Sequence, residues 1–432
     1  MTLGRRLLLA LYSALLWLLL PITLYHLVWR GLRQREYLLR WSERYAQLDA
    51  LPELPPGALW VHAVSVGEVN AAIPLVNALR QRHPERPLLI TTITPTGSAR
   101  VRALWGDAVH HVYLPYDLHG MVRRFLERVQ PALAVVIETE LWPNLFVACA
   151  RAEVPVVIAN ARLSERSLRG YRRMGPLIRL ALSGVRLIAA QSEADAARFR
   201  VLAGDQVRIE VSGNLKFDQP LPQASREEAL GWRSACGARP VWVAASTHAD
   251  EEVAVLAAHQ RLRETRPDAL LLWAPRHPER FNAVAERVRE AGLALRRRSI
   301  ERGPDARCGV FLIDSLGELP GFLAAGDVAF VGGSLCDVGG HNLLEPAALG
   351  LPVLSGPHTF NFVEISALLK QVGALETVGD AEQLAAAVEW LLAHPEQARA
   401  RGRAGRQRID RERGALERTL ALIDAIAGLA PR

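Results

Sequence analysis

Phe330 to Phe362, FVGGSLCDVGGHNLLEPAALGLPVLSGPHTFNF, is the stretch that decides how this chain is read. The apolar run Asp327 to Val331 predicts a strand leading into a glycine-rich turn (Gly332, Gly333, Gly339, Gly340). A helix is expected from about Asn342, and a second apolar strand from Pro352 to Leu354. Such a strand–turn–helix–strand unit bares backbone N–H groups at a helix N-terminus, which suits an anionic phosphate. Glu345, one turn into that helix, is placed to accept hydrogen bonds from ribose hydroxyls. Glycine in a tight βα turn is weak evidence on its own, but His341, Asn342 and Glu345 beside it favour a nucleotide-sugar site.

Outward from this stretch, short continuous apolar runs alternate with helical patterns along most of the 432 residues. Leu59–Val64, Leu88–Thr92, Ala132–Ile137, Val154–Ile158, Leu187–Ala190 and Val207–Val211 are the strands expected in the first half. Val241–Ala245, Leu270–Ala274, Val310–Ile313, Val328–Val331 and Pro352–Leu354 are those of the second. Helices fit between them, as at Val69–Arg80, Ala194–Leu202, Glu251–Arg263 and Glu279–Ala291. Continuous apolar strands interleaved with helices predict parallel sheets covered on both faces. The pattern breaks at GNLKFDQPLPQ (213–223). The fold class is therefore α/β, two Rossmann-like doubly wound domains whose ligand-binding strand edges are expected around one cleft. The arginine-rich run ARARGRAGRQR in the tail reads as a solvated helical face.

Leu7 to Trp29 contains no Asp, Glu, Lys or Arg and is long enough, at 1.5 Å per residue, to cross a hydrocarbon core of about 30 Å. It exceeds the usual signal-peptide core and lacks a small-residue cleavage site, so an uncleaved anchor is expected. Arg30, Arg33, Arg35, Arg40 and Arg44 follow it, against Arg5 and Arg6 before it, which predicts a cytoplasmic body. Leu32 to Leu48 reads as a basic helix, and LPELPPG (51–57) as a link. The expected division is thus 1–30 anchor, 31–56 basic helix and linker, 57–215 first domain, and 216–432 second domain with the C-terminal helices.

The net charge of +7 does not point to nucleic acid. Lys216 and Lys370 are the only lysines, and no basic stripe interleaved with aromatics is present. Four scattered cysteines without a C-x-x-C pair agree with a reducing compartment. The histidines match no zinc spacing, and no strand-end D-x-D motif occurs, so no metal is expected. Neither G-x-x-x-x-G-K-[ST] nor G-x-S-x-G is found, against an ATPase and against a hydrolase elbow.

Residues of chemical interest fall at strand ends. Glu68 in SVGEVNAA opens a helix, where it serves either as a general base or as a first-turn acid favoured by the helix dipole. Glu138 and Glu140 end an apolar strand in VVIETELWPNL, one of them a candidate partner for Arg162 or Arg166. Lys216 in GNLKFD is either a stabiliser of developing negative charge or a hinge ion pair. Ser246, Thr247 and Arg276 are candidate phosphate contacts, as are the backbone amides of Gly317, Glu318 and Leu319.

SVGE, ETELWPN, ARLSERS, GNLKFD, PRHPER, DSLGELP and GGHNLLEPA, in this order behind an N-terminal anchor, resemble the 3-deoxy-D-manno-octulosonic acid (Kdo) transferases of lipopolysaccharide assembly. The resemblance runs over essentially the whole chain. It implies the GT-B architecture and inverting transfer of Kdo from CMP-Kdo to a lipid A precursor of the lipid IVA type. It further implies the cytoplasmic face of the inner membrane, a single-pass anchor, and no cofactor or catalytic metal. By motif, Glu68 resembles the general base, and Glu138 and Lys216 the transition-state stabilisers. Pro275 and Arg276, then Gly317, Glu318 and Leu319, then Asn342, Leu343, Leu344 and Glu345 resemble the CMP-binding segments. CMP-Kdo, the lipid acceptor and the membrane are the implied partners, with no nucleic acid. Oligomeric state and the number of Kdo units added are not indicated. Among other readings, a UDP-sugar transferase such as a lipid A disaccharide synthase is separated by donor choice. A nonhydrolysing sugar epimerase has no need of an anchor. A catalytically idle membrane scaffold would leave the acids at 68 and 138 silent.

Overall fold

The computed structural model describes residues 3–49, 51–219 and 226–428. They form two compact units: one takes in the described residues up to Gln219 and again from Arg413, the other those between.

In the first unit, seven strands form one sheet: β1 (Ala58–His62), β2 (Leu88–Thr92), β3 (His110–Tyr113), β4 (Pro131–Ile137), β5 (Val156–Ala161), β6 (Val185–Ala190) and β7 (Arg208–Val211). All pair in parallel, in the order β3-β2-β1-β4-β5-β6-β7. Runs such as LWV and VVI are apolar at every position because helices cover both faces of the sheet. One face carries the cluster around Trp60, Phe125, Phe146 and Phe199, the other that around Leu75, Leu79, Val135 and Leu187. Ala415, Leu420 and Ile423 of the helix Ala415–Ala427 complete the second cluster.

The second unit repeats the plan with β8 (Val241–Thr247), β9 (Leu270–Pro275), β10 (Leu295–Arg297), β11 (Val310–Leu312), β12 (Val328–Val331), β13 (Val353–Ser355) and β14 (Leu375–Thr377). Its parallel order is β10-β11-β9-β8-β12-β13-β14. Trp242, Trp273, Phe311, Phe322 and Phe330 fill the two faces.

Three boundaries differ from the sequence reading. The first unit keeps Lys216 and runs to Gln219, because GNLKFD is bonded into it; residues 220–223 of the expected join lie outside the described residues. The C-terminal helices do not all belong to the second unit. The helix Ala415–Ala427 packs on the first, with Asp218 accepting from Gly414 N and Leu416 N at 2.7 Å each. The expected basic helix from 32 to 48 is instead two short 3-10 turns, Arg35–Leu38 and Trp41–Tyr45. Arg40 between them is left-handed (φ 56°), and its guanidinium grips Glu43 at 2.6 and 2.9 Å and His111 O at 2.6 Å. Those tertiary bonds override local helix propensity.

Leu3–Arg33 is one 31-residue helix, long and apolar enough to cross a membrane. One stripe of it lies on the first unit. Leu9 is buried with Val147 and Leu180, and Tyr12 Oη donates to Asp117 Oδ2 at 3.0 Å. Ser13 Oγ donates to Asn144 Oδ1 at 3.1 Å, while Leu16 and Leu20 pack on Leu118 and Met121. The opposite face leaves Leu7, Leu11, Leu15, Leu18 and Ile22 exposed.

Candidate active site and nucleotide-contact residues

The first sheet's order reverses once; the second's reverses at its middle too, with β11 lying inside β10 at one edge. Ligands of doubly wound sheets gather beyond the carboxyl ends of the strands at the central reversal. For the first unit the reversal lies between β1 and β4. Glu68 follows β1, in the first turn of the helix Val66–Arg82. Its carboxylate accepts from Val64 N at 2.7 Å and Ser65 Oγ at 3.3 Å, folding back over the turn that precedes the helix. Burial pushes its pKa up to about 8; the Val64 bond opposes this, and the charges of Glu140 and Glu138 add to it. The helix-entry role read from the sequence is met by these bonds. A carboxylate that changes protonation just above neutrality is suited to general-base work.

Glu138 stands directly after β4 in the left-handed region (φ 61°), an uncommon conformation for a side-chain-bearing residue, and its N–H donates to Ala159 O at 3.0 Å. Its ion-pair partner is Lys216, with Nζ 3.9 Å from Oε1, rather than Arg162 or Arg166. Glu140 is pushed up to about 7 by burial, with the Glu138 charge contributing and a Trp142 bond opposing. Three carboxylates and one ammonium therefore converge where the sheet reverses.

Lys216 is held by residues the sequence reading passed over. Asn160 Oδ1 accepts from Leu215 N at 3.0 Å, and Asn214 Oδ1 from Lys216 N at 3.0 Å. Gln191 bridges the two asparagines, donating to Asn160 O at 2.9 Å and accepting from Asn214 Nδ2 at 3.2 Å. All three are buried. Their signal is a polar residue at the end of an apolar strand, VVIAN and LIAAQ.

In the second unit the reversal lies between β8 and β12, where the glycine-rich turn sits. The start of the turn does not offer its amides to a ligand. Glu251, with no exposed surface, accepts from Gly333 N at 2.6 Å, from Ser334 N and Leu335 N at 2.8 Å, and from His248 N at 3.0 Å. An internal carboxylate thus occupies the amides that open the turn. The helix that follows, Leu344–Ala348, starts two residues later than expected. Asn342 precedes it, its Oδ1 capping Leu344 N at 3.0 Å and its Nδ2 donating to Glu345 Oε1 at 3.0 Å. Burial raises the Glu345 carboxyl, against the Asn342 bond.

Side chains gather beside the plugged turn. His248 Nε2 lies 2.8 Å from His341 Nε2 with the rings nearly coplanar (5°), and His277 stands edge-on to His248. Burial first, then His248, Arg276 and His277, together hold His341 down at about 4. Pro275 ends β9, and Arg276 N donates to Thr247 O at 3.0 Å. The Arg276 side chain is exposed and makes no ion pair among the described residues. Gly317 (φ 86°) and Glu318 lead into the helix Leu319–Ala325, which packs on the helix Leu344–Ala348. Glu318 is already engaged by Arg298 at 2.8 Å. The structure brings Pro275, Arg276 and the 342–345 segment toward the same strand edge. Among the described residues no group of three or more His, Cys, Asp or Glu is arranged to hold a metal ion.

Residues 39–219 match the family model described as 3-deoxy-D-manno-octulosonic-acid transferase, and residues 246–408 that described as glycosyl transferases group 1. A 3-deoxy-D-manno-octulosonic acid transferase of Haemophilus influenzae is 42% identical over 95% of this chain and 97% of its own length. That of Bordetella pertussis is 39% identical over 92% and 94%. A glycosyltransferase structure from Rickettsia africae, 12% identical, shares the fold over 86% of this chain with a TM-score of 0.54. With that identity over nearly its full length, the chain belongs to the 3-deoxy-D-manno-octulosonic acid transferase family.

Proposed function

We propose that this protein transfers Kdo from CMP-Kdo to a lipid A precursor of the lipid IVA type, by a single inverting displacement and without a catalytic metal. The observation that carries the reading is Glu68. It is a half-buried carboxylate raised to about 8, fixed by two hydrogen bonds, and close enough to Glu138 and Glu140 to feel their charge. In the proposed step Glu68 takes the proton of an acceptor hydroxyl as that oxygen bonds to the anomeric carbon of Kdo. The bond from that carbon to the phosphate oxygen breaks, and CMP leaves with the electron pair. Lys216, steadied by Glu138, supplies positive charge for the negative charge that develops.

Donor binding is assigned to Pro275, Arg276, Gly317–Leu319 and Asn342–Glu345. With the amides of Gly333, Ser334 and Leu335 committed to Glu251, the phosphate is assigned to Arg276, its histidine neighbours and the 342–345 segment. The helix Leu3–Arg33 anchors the chain at the inner membrane through its exposed apolar stripe, and the arginines after it keep the body on the cytoplasmic side.

Mass spectrometry of lipids formed from CMP-Kdo and a tetraacylated precursor tests the assignment. Products heavier by one or more Kdo residues are expected, and none from UDP-sugars. An unmodified precursor after exhaustive incubation sinks the proposal.

A further inference from the structure

Between the C-terminal end of the helix Leu3–Arg33 and the first unit lies a cavity of about 320 Å³, at the small end of ligand pockets. Arg30, Arg44 and His26 line it with Tyr37, Tyr116 and Thr94, and no carboxylate does. Arg44 is the unusual member. Its side chain is only 4% exposed, yet it forms no ion pair among the described residues. Nη2 donates to Ile93 O at 2.7 Å and the guanidinium lies 4.2 Å from the Tyr113 ring centre, but buried Nε has no partner. The neighbouring acid, Glu43, is occupied by Arg40 and by Tyr113 N at 2.8 Å. A buried guanidinium without an ion-pair partner is an incomplete arrangement, and an anion in the cavity that Arg44 lines supplies the missing pair.

The surroundings narrow the anion. Above Arg30 the helix exposes Ile22, Leu24, Tyr25, Val28 and Trp29, an apolar and aromatic surface ending in cations, as at the headgroup level of a bilayer. The opposite wall adjoins the catalytic turn. Ile93 N and Thr94 N both donate to Val64 O at 3.1 Å, and Val64 N donates to Glu68.

We propose that this cavity binds the phosphomonoester of a membrane lipid, with Arg30 and Arg44 as its cationic ligands. That the bound lipid presents a hydroxyl to Glu68 rests on the transfer reading above; the phosphate site itself does not.

The test uses the full chain in detergent, titrated calorimetrically with short-chain phosphatidic acid, with phosphatidylcholine of equal chain length, and with inorganic phosphate. Saturable binding of phosphatidic acid is expected, with none of phosphatidylcholine. Arg30→Ala, at an exposed position that leaves the fold intact, and Arg44→Gln should each weaken it about tenfold, the loss of one charge-assisted contact. Equal binding of both lipids, or an Arg30→Ala affinity unchanged from the parent, overturns the site. Inorganic phosphate binding as tightly as the lipid, and displacing it, overturns the membrane source. A chain that binds phosphatidic acid but moves no Kdo defeats the transfer reading and leaves this one standing.

Discussion

Lys216 Nζ stands 3.9 Å from Glu138 Oε1, an ammonium and a carboxylate brought together from the ends of β7 and β4. The pair is half-buried, so water screens its attraction and it is a weak source of stability. Its value lies in position, since both residues sit where the first sheet reverses. Lys216→Ala is expected to lower kcat for Kdo transfer by about a hundredfold or more while the melting temperature changes little. Steady-state kinetics beside a thermal melt check this; a large loss of stability with kcat intact would make the pair structural.

Replacement of Glu68 by glutamine removes the proposed proton acceptor and keeps the shape. Transfer should fall by about 10²–10⁴-fold, the range of general-base contributions, with CMP affinity unchanged. Calorimetric titration of CMP into the variant separates loss of chemistry from loss of binding.

The raised Glu68 carboxyl fixes the sign of the pH dependence. Below about 8 the group holds its proton and cannot accept another, so kcat/KM should climb with pH through that region. Glu140→Gln removes a charge that raises Glu68, and should move the inflection to lower pH. Stability runs the other way. Between the ordinary carboxylate range and about 8, folded Glu68 keeps a proton that the unfolded chain has released, so its contribution falls as pH rises. Denaturation across this window, parent against Glu68→Gln, should show the parent's extra decline.

Glu251→Ala strands the amides of Gly333, Ser334, Leu335 and His248. A loss of about 3 kcal/mol or more is expected in the second unit, several buried N–H groups losing their partner at once. Chemical denaturation measures this, and a weaker CMP affinity should accompany it as the turn loosens.

Gly402 approaches the second unit's backbone so closely that an added Cβ would fall 1.8 Å from Gly350 O. Gly402→Ala should cost about 1–3 kcal/mol through displacement of the helix Pro395–Glu412. Gly231→Ala, where a Cβ meets nothing within 4 Å, is the matched control for a helical glycine and should not destabilise.

Central strands were legible because burial on both faces leaves continuous apolar runs; the run Leu88–Thr92 coincides with β2. The strands passed over, His110–Tyr113, Leu295–Arg297 and Leu375–Thr377, are edge strands with partly polar sequences, paired on one side only. The arginine-rich tail shows the same limit. Its charges are solvated, but Ala398, Gly402, Gly405 and Ile409 form a buried stripe hidden among them. In the site, Glu68, Glu138, Lys216 and Arg276 were visible as polar residues at strand ends. Glu251 was not, because a carboxylate in the first turn of a helix reads as a dipole partner and nothing local shows that it reaches a turn some eighty positions away. The bonds that open the glycine-rich turn were hidden for the same reason, since its conformation is sequence-local and the occupant of its amides is not.

Because the helix Ala415–Ala427 seals one face of the sheet whose strands end at Val211, the first unit cannot finish its interior as it leaves the ribosome. Leu75, Leu79 and Leu187 lie on the face it covers, which must wait without that cover while the whole second unit is synthesised. Such a delay exposes apolar surface to chaperones and to aggregation, and a nascent chain released early, short of residue 415, is left with the gap unfilled.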